Sequence, residues 1–258
     1  MKKFMHVIVK RPCEAMIKGL DSGTYPGKPD YELALTQHNH YISALTKCGV
    51  DVTILSRDER YPDSCFVEDP AVVTKMCAIV TNPADQSRNG EKEEIVQALR
   101  EFYPEENIEY IKAPGTLEGG DIMMVGNHFY AGLSSRTNEE GIRQFTEILA
   151  KYGMTCEAVP VQNILHLKDD VCYLDENVML VSEGQKDTEA FAGYDKIVVP
   201  EEEFYAINCL WMNDTVIVPE GYPYVLEEIK KRGFRTMVID TSEYRKIDGS
   251  LTCLSLRF

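Results

Sequence analysis

The chain has 258 residues, of which 44% are hydrophobic and 27% charged, so it can bury one large core or two smaller ones and has the composition of a soluble globular protein. Its apolar runs fall short of the roughly 18 residues that a membrane span needs. The formal net charge of −15 repels phosphate backbones and anionic lipids, so nucleic acid and membrane are not expected as partners, and it suits a cationic small molecule, although solubility alone also explains it.

Cysteine usage indicates a reducing compartment. Eight cysteines occur without a Cys-x-x-Cys pair and without zinc-ligand spacing to the five histidines, so a structural metal is not expected. The opening MKKFMHVIVKRP has a short apolar run that Lys10 and Arg11 end, with no small-residue cleavage site after it, so it is interpreted as a first strand rather than a signal peptide. We therefore expect reduced thiols in a cytoplasmic protein.

The predicted elements repeat along the chain. After the first strand, HVIVKRP, come a helix over 30–49 and a strand over 50–56, and the helix is expected to carry His38 and His40 on its surface. From Cys65 onward the order strand, strand, helix, strand recurs four times. The hairpins of the four copies are predicted over 65–83, 117–134, 165–184 and 208–221, their helices over 91–103, 138–153, 188–194 and 222–233, and their last strands over 108–114, 155–161, 196–200 and 236–241.

A fifth copy is split between the termini. LTCLSLRF and HVIVKRP would form its hairpin, and the landmarks Glu118, His166 and Asn213 recur at steps of 48 and 47 residues. Repeats that close by pairing N- and C-terminal strands bury their edges around one axis. The sequence thus predicts an α/β fold, a five-bladed α/β propeller of strand-strand-helix-strand repeats with pseudo-fivefold symmetry, as a single domain over 1–258.

Polar residues lead the first strands of these repeats, where a propeller would gather them at one end of its axis. These leading residues are Glu68, Asp69, Glu118, Asp121, His166 and Cys253. Acids, an imidazole and a thiol in one axial pocket indicate a functional site, because burial of polar groups costs free energy and is seldom found without a function.

Cys253 and His166 have the residue types of nucleophilic catalysis, in which an imidazole manages the protons of a thiol. A histidine in LHL is normally a core residue, but the position of His166 at the start of a repeat favours catalysis. Cys65 is the rival nucleophile, although the alternation of its stretch directs it elsewhere. The remaining cysteines lie in strand or helix patterns and are interpreted as core.

The neighbouring carboxylates suggest the substrate. They would suppress a thiolate unless a cation offsets them, and a guanidinium held bidentately by Glu118 and Asp69 does so. Attack of Cys253 on the guanidinium carbon would give a tetrahedral species. His166 would protonate the departing amine and then activate water against the thiouronium intermediate, which leaves a ureido product.

Six ordered segments then point to one family: FVEDPAVV, LEGGD, GLSSRTN, LHLKDD, NCLWMNDTVIVPEGYP and DGSLTCLSLRF. Together they cover almost the whole chain, and the chain resembles the dimethylarginine dimethylaminohydrolase family of the pentein, or amidinotransferase, superfamily. The resemblance implies a five-bladed propeller that hydrolyses methylated arginines, such as asymmetric dimethylarginine and monomethylarginine, to citrulline and methylamines. It implies no metal or organic cofactor, and it leaves a homodimer as an option.

The resemblance also implies roles for individual residues. Cys253 would be the nucleophile, His166 the general acid and base, and Glu118 the carboxylate that orients substrate and histidine. The implied substrate contacts are Asp69 with Glu68 for the guanidinium, Asp63 and the carbonyl of Ile247 for the α-ammonium, Arg88 and Arg136 for the α-carboxylate, and Leu20 in a mobile lid, GLDSGTYPG. Three alternatives stay open: a solvated Arg88, a plain surface loop at the lid, and a structural role for Asp121 in bonding backbone amides.

Rival functions share these residues. Arginine deiminase or another guanidine-modifying hydrolase would use the same thiol, imidazole and carboxylates, and only room for N-methyl groups separates them, although the two glycines after Glu118 favour a methylarginine enzyme. An amidinotransferase would need a longer chain with acceptor-site insertions. A non-catalytic pentein that acts as a binding protein has no reason to gather thiol, imidazole and carboxylate.

Overall fold

A computed structural model describes residues 4–258. Its strands are β1 (His6–Lys10), β2 (Asp51–Leu55), β3 (Ala71–Val73), β4 (Ala78–Val80), β5 (Ile108–Tyr110), β6 (Ile122–Val125), β7 (His128–Leu133), β8 (Thr155–Pro160), β9 (Val171–Asp175), β10 (Val178–Ser182), β11 (Asp195–Val199), β12 (Leu210–Met212), β13 (Thr215–Pro219), β14 (Arg235–Ile239) and β15 (Leu256–Arg257). The α-helices are α1 (Tyr31–Lys47), α2 (Lys92–Leu99), α3 (Glu139–Lys151), α4 (Pro223–Lys231) and α5 (Ser242–Arg245). Short 3-10 helices span Glu14–Lys18, Gln86–Glu91, Glu105–Asn107, Gly119–Asp121, Leu167–Asp169, Glu189–Phe191, Glu201–Ile207 and Thr252–Leu254.

The strands of the described residues form five sheets of three strands, and every sheet has the same pattern. The orders are β15-β1-β2, β3-β4-β5, β6-β7-β8, β9-β10-β11 and β12-β13-β14. The middle strand pairs antiparallel with the first and parallel with the last. A parallel pair needs a crossover, and a helix supplies it between the second and third strand of each repeat. The predicted repeat order is therefore confirmed, including the copy divided between the termini.

Helix α3 shows how the sequence sets these crossovers. Its N-cap, Asn138, accepts a hydrogen bond from the Gly141 N–H at 2.8 Å, and Gly153 just beyond its end has a φ of 71°, which favours glycine. Phe145 and Leu149 lie one turn apart on its buried face. The helix thus begins, ends and faces inward for reasons that are visible in the sequence.

The described residues divide into two compact units. One contains the residues up to Val67 together with Asn208–Phe258, and the other is Glu68–Ile207. The first holds the sheets β15-β1-β2 and β12-β13-β14 and a core that includes Tyr41, Leu45 and Tyr244. The second holds the other three sheets, with two apolar clusters. Each unit therefore has its own hydrophobic core.

The expected position of His38 on the surface of α1 is wrong. His38 is fully buried, because it shares the inward face of that helix with Ala34 and Tyr41, which lie four residues before it and three residues after it. Burial, followed by the charge of Arg11, lowers the pKa of His38 to about 4. His40 is exposed, as expected.

Cys253 lies in a turn of 3-10 helix, Thr252–Leu254, instead of in the last strand, which contains only Leu256 and Arg257. The crossover predicted over 188–194 is likewise one turn of 3-10 helix, Glu189–Phe191. Within residues 4–258, none of the helices combines the length and the apolar composition of a membrane span.

The turn around Cys253 is held by a buried tyrosine of α1. The hydroxyl of Tyr41 donates to the carbonyl of Leu251 at 2.9 Å and lies 2.6 Å from the hydroxyl of Ser255. We predict that Tyr41→Phe lowers the free energy of unfolding by about 1–3 kcal/mol, because it leaves buried polar groups without this partner. Urea denaturation of the two proteins measures the difference.

Tyr110→Phe is the matched control, since Tyr110 is 39% exposed and loss of a hydroxyl from an exposed tyrosine costs little stability. Equal losses of stability in the two variants would contradict the structural role of the Tyr41 hydroxyl.

Candidate active site

Three of the predicted site residues meet in the unit Glu68–Ile207. Asp69, Glu118 and His166 each come shortly before the first strand of a sheet, and all three side chains are buried. Nε2 of His166 lies 2.8 Å from Oε2 of Glu118 and 3.9 Å from Oδ1 of Asp69. The repeat therefore brings an imidazole and two carboxylates together, as the sequence predicts.

Two glycines allow this close approach. The Gly119 N–H donates to the carbonyl of Asp69 at 3.1 Å, and the Gly120 N–H donates to Oδ1 of Asp69 at 3.0 Å. A Cβ on Gly119 would overlap the carbonyl of Glu68, and one on Gly120 would lie 2.5 Å from Nδ1 of His166. The glycines that follow Glu118 are thus required by the packing of the turn against Asp69 and His166.

The carboxylates keep His166 charged. Burial by itself lowers the pKa of His166, but the Asp69 charge, the hydrogen bond to Glu118 and the Asp121 charge outweigh burial and raise the pKa to about 10. Burial likewise raises the pKa of Asp69, but the charges of His166 and Arg88, with hydrogen bonds from Arg88 and Gly120, bring it down to about 2. At neutral pH the site therefore contains an imidazolium beside ionised Asp69.

Arg88 is locked between two buried carboxylates. Its Nη1 donates to Oδ2 of Asp69 at 2.6 Å, while Nε and Nη2 donate to the carboxylate of Glu91 at 2.8–3.2 Å. Arg88 is 5% exposed, so it is not the solvated arginine that the loop DQSRNG allowed. Sequence reasoning missed Glu91, which sits three residues after Arg88 at the end of a short helix.

Glu118 is held by two donors at its other oxygen. The Ala84 N–H and Nη1 of Arg136 lie 3.2 Å and 3.3 Å from Oε1, which leaves Oε2 for His166. Glu118 is completely buried, whereas the Arg136 side chain is 20% exposed. Arg136 thus reaches from partly open space to the buried acid.

Glu68 forms a buried ion pair of its own. Nζ of Lys168 lies 2.5 Å from its carboxylate, and both side chains are at most 10% exposed. Sequence reasoning missed Lys168, although it belongs to the motif LHLKDD two residues after His166. Its partner Glu68 is 100 residues away in the sequence, so the pair becomes visible only in the folded structure.

The other predicted substrate contacts lie in the unit formed by the described residues up to Val67 together with Asn208–Phe258. Oδ1 of Asp63 accepts a hydrogen bond from the Leu20 N–H at 3.0 Å. A Cβ on Gly19 would lie 2.8 Å from the same oxygen and 3.4 Å from Cδ1 of Ile247. Asp63, Leu20 and Ile247 are therefore neighbours, as their predicted roles at one end of a substrate require.

The segment GLDSGTYPG, where a lid is predicted, is tethered to the turn after Ile247. The backbone N–H and the hydroxyl of Ser22 both donate to the carboxylate of Asp248, and the Tyr25 ring lies 5.1 Å from the Arg245 guanidinium. Leu20 is 38% exposed. The segment is consequently a defined loop with its own contacts.

Cys253 and its rival differ in their backbone setting. Cys253 is 7% exposed and lies at a turn whose neighbouring Thr252 N–H donates to Oδ1 of Asn208 at 3.1 Å. Cys65 is 1% exposed and packs in the apolar core of the same unit. Cys253 also borders that core, so burial alone does not separate the two thiols.

The cluster could also offer ligands to a metal ion. One ligand atom from each of Asp69, Glu118 and His166 lies within 4.8 Å of the others. A metal would have to replace the proton between His166 and Glu118, and Arg88 already provides a positive charge to Asp69. The arrangement thus suits a shared proton better than a bound ion.

Comparison with known proteins gives a consistent picture. A family model described as "N,N dimethylarginine dimethylhydrolase, eukaryotic" matches residues 26–218. The N(G),N(G)-dimethylarginine dimethylaminohydrolase of Pseudomonas aeruginosa is 50% identical over 99% of this chain and 100% of its own. The enzyme of that name from Streptomyces coelicolor is 30% identical over 97% of this chain and 95% of its own.

Solved structures match over the same length. A cysteine-to-serine variant of the Pseudomonas aeruginosa protein in complex with citrulline has a TM-score of 0.97, 50% identity and 99% coverage of both chains. The N-terminal domain of ArgZ, a cyanobacterial arginine dihydrolase, has a TM-score of 0.81 at 16% identity, over 98% of this chain and 97% of its own, and supports the fold alone. The predicted α/β fold of five strand-strand-helix-strand repeats is confirmed by the five three-stranded sheets within residues 4–258 and by these matches.

The buried imidazolium predicts a pH dependence of stability. Because the pKa of His166 is raised from 6.5 to about 10, its ionisation stabilises the fold fully below about pH 6.5, and this contribution is lost as the pH rises toward 10. The loss amounts to at most about 1.4 kcal/mol per pH unit. We predict that wild type loses more stability than His166→Asn between about pH 6 and about pH 9.5.

Urea denaturation at the two pH values measures this, with each protein compared with itself. Parallel losses in wild type and variant would show that His166 is not charged in the folded state.

Proposed function

Because this chain belongs to the dimethylarginine dimethylaminohydrolase family, we propose that it hydrolyses Nω-methylated arginines to citrulline and methylamines. The observation that carries this proposal is the buried imidazolium of His166, which is hydrogen-bonded to Glu118 and close to Asp69. A carboxylate pair with a proton donor is what binding and cleavage of a guanidinium require. The relatives named for this activity support the choice of substrate.

The carboxylates present a suitable edge to a guanidinium. Oδ2 of Asp69 and Oε1 of Glu118 are occupied by protein donors, whereas Oδ1 and Oε2 are the oxygens nearest to Nε2 of His166. A planar guanidinium that donates to this inner pair would place its departing nitrogen near the imidazolium. We therefore assign guanidinium binding to Asp69 and Glu118, and we propose that Glu68, whose carboxylate is paired with Lys168, contributes to the same guanidinium site.

In the first half of the reaction, the thiolate of Cys253 attacks the guanidinium carbon and forms a C–S bond. The resulting tetrahedral species expels the methylated amine when His166 transfers its proton to the departing nitrogen. A pKa near 10 keeps that proton in place at neutral pH until the leaving nitrogen becomes basic. The product of this half is a thiouronium linked to Cys253.

In the second half, neutral His166 accepts a proton from water, and the hydroxide adds to the thiouronium carbon. Asp69 and Glu118 make the neutral imidazole a strong base, because they favour its charged form. Collapse of the adduct breaks the C–S bond and expels the thiolate, and the protonated ureido product loses its hydroxyl proton to water, which gives citrulline and leaves His166 charged again. Asp69 and Glu118 thus contribute to both halves of the reaction.

We propose that hydrogen-bond acceptors and arginines together hold the amino-acid end of the substrate. The carboxylate of Asp63 and the carbonyl of Ile247 would accept hydrogen bonds from the α-ammonium, and Leu20 would cover the substrate as part of a lid. Arg136, which is partly exposed, would bind the α-carboxylate together with Arg88. Arg88 would do so while it keeps its ion pairs with Asp69 and Glu91.

We further propose that residues 1–258 act as one catalytic domain, of which residues 1–3 lie outside the described part. A cytoplasmic location fits the cysteines, since all eight lie within residues 4–258 and are free thiols. Homodimer formation stays a prediction from the family resemblance.

We predict that the purified protein releases citrulline from asymmetric dimethylarginine and monomethylarginine but not from arginine. Cys253→Ser should lower this release by at least about 1,000-fold, because a hydroxyl cannot replace the thiolate as nucleophile. Cys65→Ala, the matched control for loss of a buried thiol, should retain turnover. Colorimetric citrulline and amine assays on the three substrates measure the result.

The alternatives give other results. Turnover of arginine alone would keep the mechanism but identify a deiminase. If none of the substrates reacts, a thiol-alkylating amidine distinguishes the remaining classes: selective modification of Cys253 indicates a hydrolase for another guanidine, and its absence indicates a binding protein.

A further inference from the structure

We infer that Asp121 is a positioning residue, whose single buried carboxylate fixes His166, Arg136 and Glu118 relative to one another. This inference rests on the proposed function, since it assigns Asp121 a part in the same site. Asp121 is fully buried and closes the turn Gly119–Asp121, where its N–H donates to the carbonyl of Glu118 at 3.0 Å. It is not among the groups placed in contact with substrate.

One oxygen of this carboxylate holds the segment of His166. Oδ1 of Asp121 accepts a hydrogen bond from the Leu167 N–H at 2.9 Å, and Leu167 is the residue directly after His166. A Cβ on Gly132 would lie 2.7 Å from the same oxygen and 2.8 Å from Cβ of Leu167, so the space around this bond is closed. The imidazole is thus fixed through its own backbone.

The other oxygen holds the segment of Arg136. The Ser134 hydroxyl donates to Oδ2 of Asp121 at 2.6 Å and accepts hydrogen bonds from the N–H groups of Arg136 and Thr137 at 2.9 Å and 3.1 Å. With its proton and both lone pairs engaged, Ser134 transmits the position of Asp121 to the Arg136 loop.

A third link runs to Glu118. This link passes through Thr137, whose N–H donates to the Ser134 hydroxyl and whose own hydroxyl accepts a hydrogen bond from the Glu118 N–H at 3.1 Å. The carboxylate therefore accepts bonds from two segments, those of His166 and Arg136, and the second of these reaches Glu118 through Thr137. A buried carboxylate that accepts from two such donors has no substitute in water.

The two oxygens predict separable kinetic effects. Ser134→Ala removes the bond to Oδ2 of Asp121 but keeps the bond from the Leu167 N–H to Oδ1, so the His166 segment stays fixed. We therefore expect KM to rise by about tenfold with little change in kcat. Asp121→Asn brings an amide NH2 against the Ser134 hydroxyl, whose lone pairs already accept two other hydrogen bonds. The variant therefore disturbs both the Ser134 bond and the Leu167 bond. For this variant we expect kcat to fall by about 10- to 100-fold in addition to the rise in KM.

Asp170→Asn is the matched control. Asp170 is a buried acid four residues after His166 and is 8% exposed. Its carboxylate accepts a hydrogen bond from Nε2 of Gln185 at 2.9 Å. It should change stability without changing kcat or KM. Equal kinetic effects of Asp121→Asn and Asp170→Asn, or unchanged KM in Ser134→Ala, would overturn the inference.

A second measurement separates this inference from the proposed function. Nitrogen-15 NMR of the His166 ring in wild type, Asp121→Asn and Asp170→Asn should show a displaced ring signal only in the Asp121 variant. If wild type turns over no methylated arginine, the proposed function fails, and the NMR comparison alone decides the positioning role. An unchanged signal in Asp121→Asn would then contradict it.

Discussion

The buried ion pair between His166 and Glu118, with Asp69 beside it, is the interaction on which the rest of the site depends. An imidazolium away from water is unstable unless carboxylates compensate it, and two ionised carboxylates repel each other unless a cation separates them. The 2.8 Å contact between His166 and Glu118 meets both conditions. The same charge arrangement gives a proton donor at neutral pH and an edge that accepts a guanidinium.

The surroundings of this pair are organised to hold the carboxylates in place. Arg88 binds Asp69 and is itself enclosed by Glu91, while Arg136 binds the outer oxygen of Glu118. The contacts of Asp69 with Arg88 and of Glu118 with Arg136 join residues 19 and 18 positions apart, whereas Glu91 lies only three residues after Arg88. The fold thus supports these charged side chains through both long-range and local contacts. Catalytic precision in such a site depends on supporting groups as much as on the groups that touch substrate.

Much of this could be predicted from the sequence, and the reasons are physical. Hydrophobic periodicity showed five strand-strand-helix-strand repeats, and the start of each repeat indicated Glu118 and His166. The pairing of Lys168 with Glu68 could not be found, because the two residues are 100 positions apart and meet only in the folded chain. Glu91 was missed for a local reason, since DQSRNG indicates a loop and not the helical turn Gln86–Glu91 that places Glu91 beside Arg88. His38 is different: its spacing from Tyr41 placed it on the buried face, but its polar type suggested the surface.

The central claim is that the carboxylates keep His166 charged in the folded protein. Nitrogen-15 NMR of the His166 ring, followed from about pH 6 to about pH 11, tests it most directly, because the ring nitrogens report their protonation separately. The account predicts that both nitrogens remain protonated through neutral pH and lose a proton only near a pKa of about 10. A ring that is already neutral at about pH 8 would contradict it.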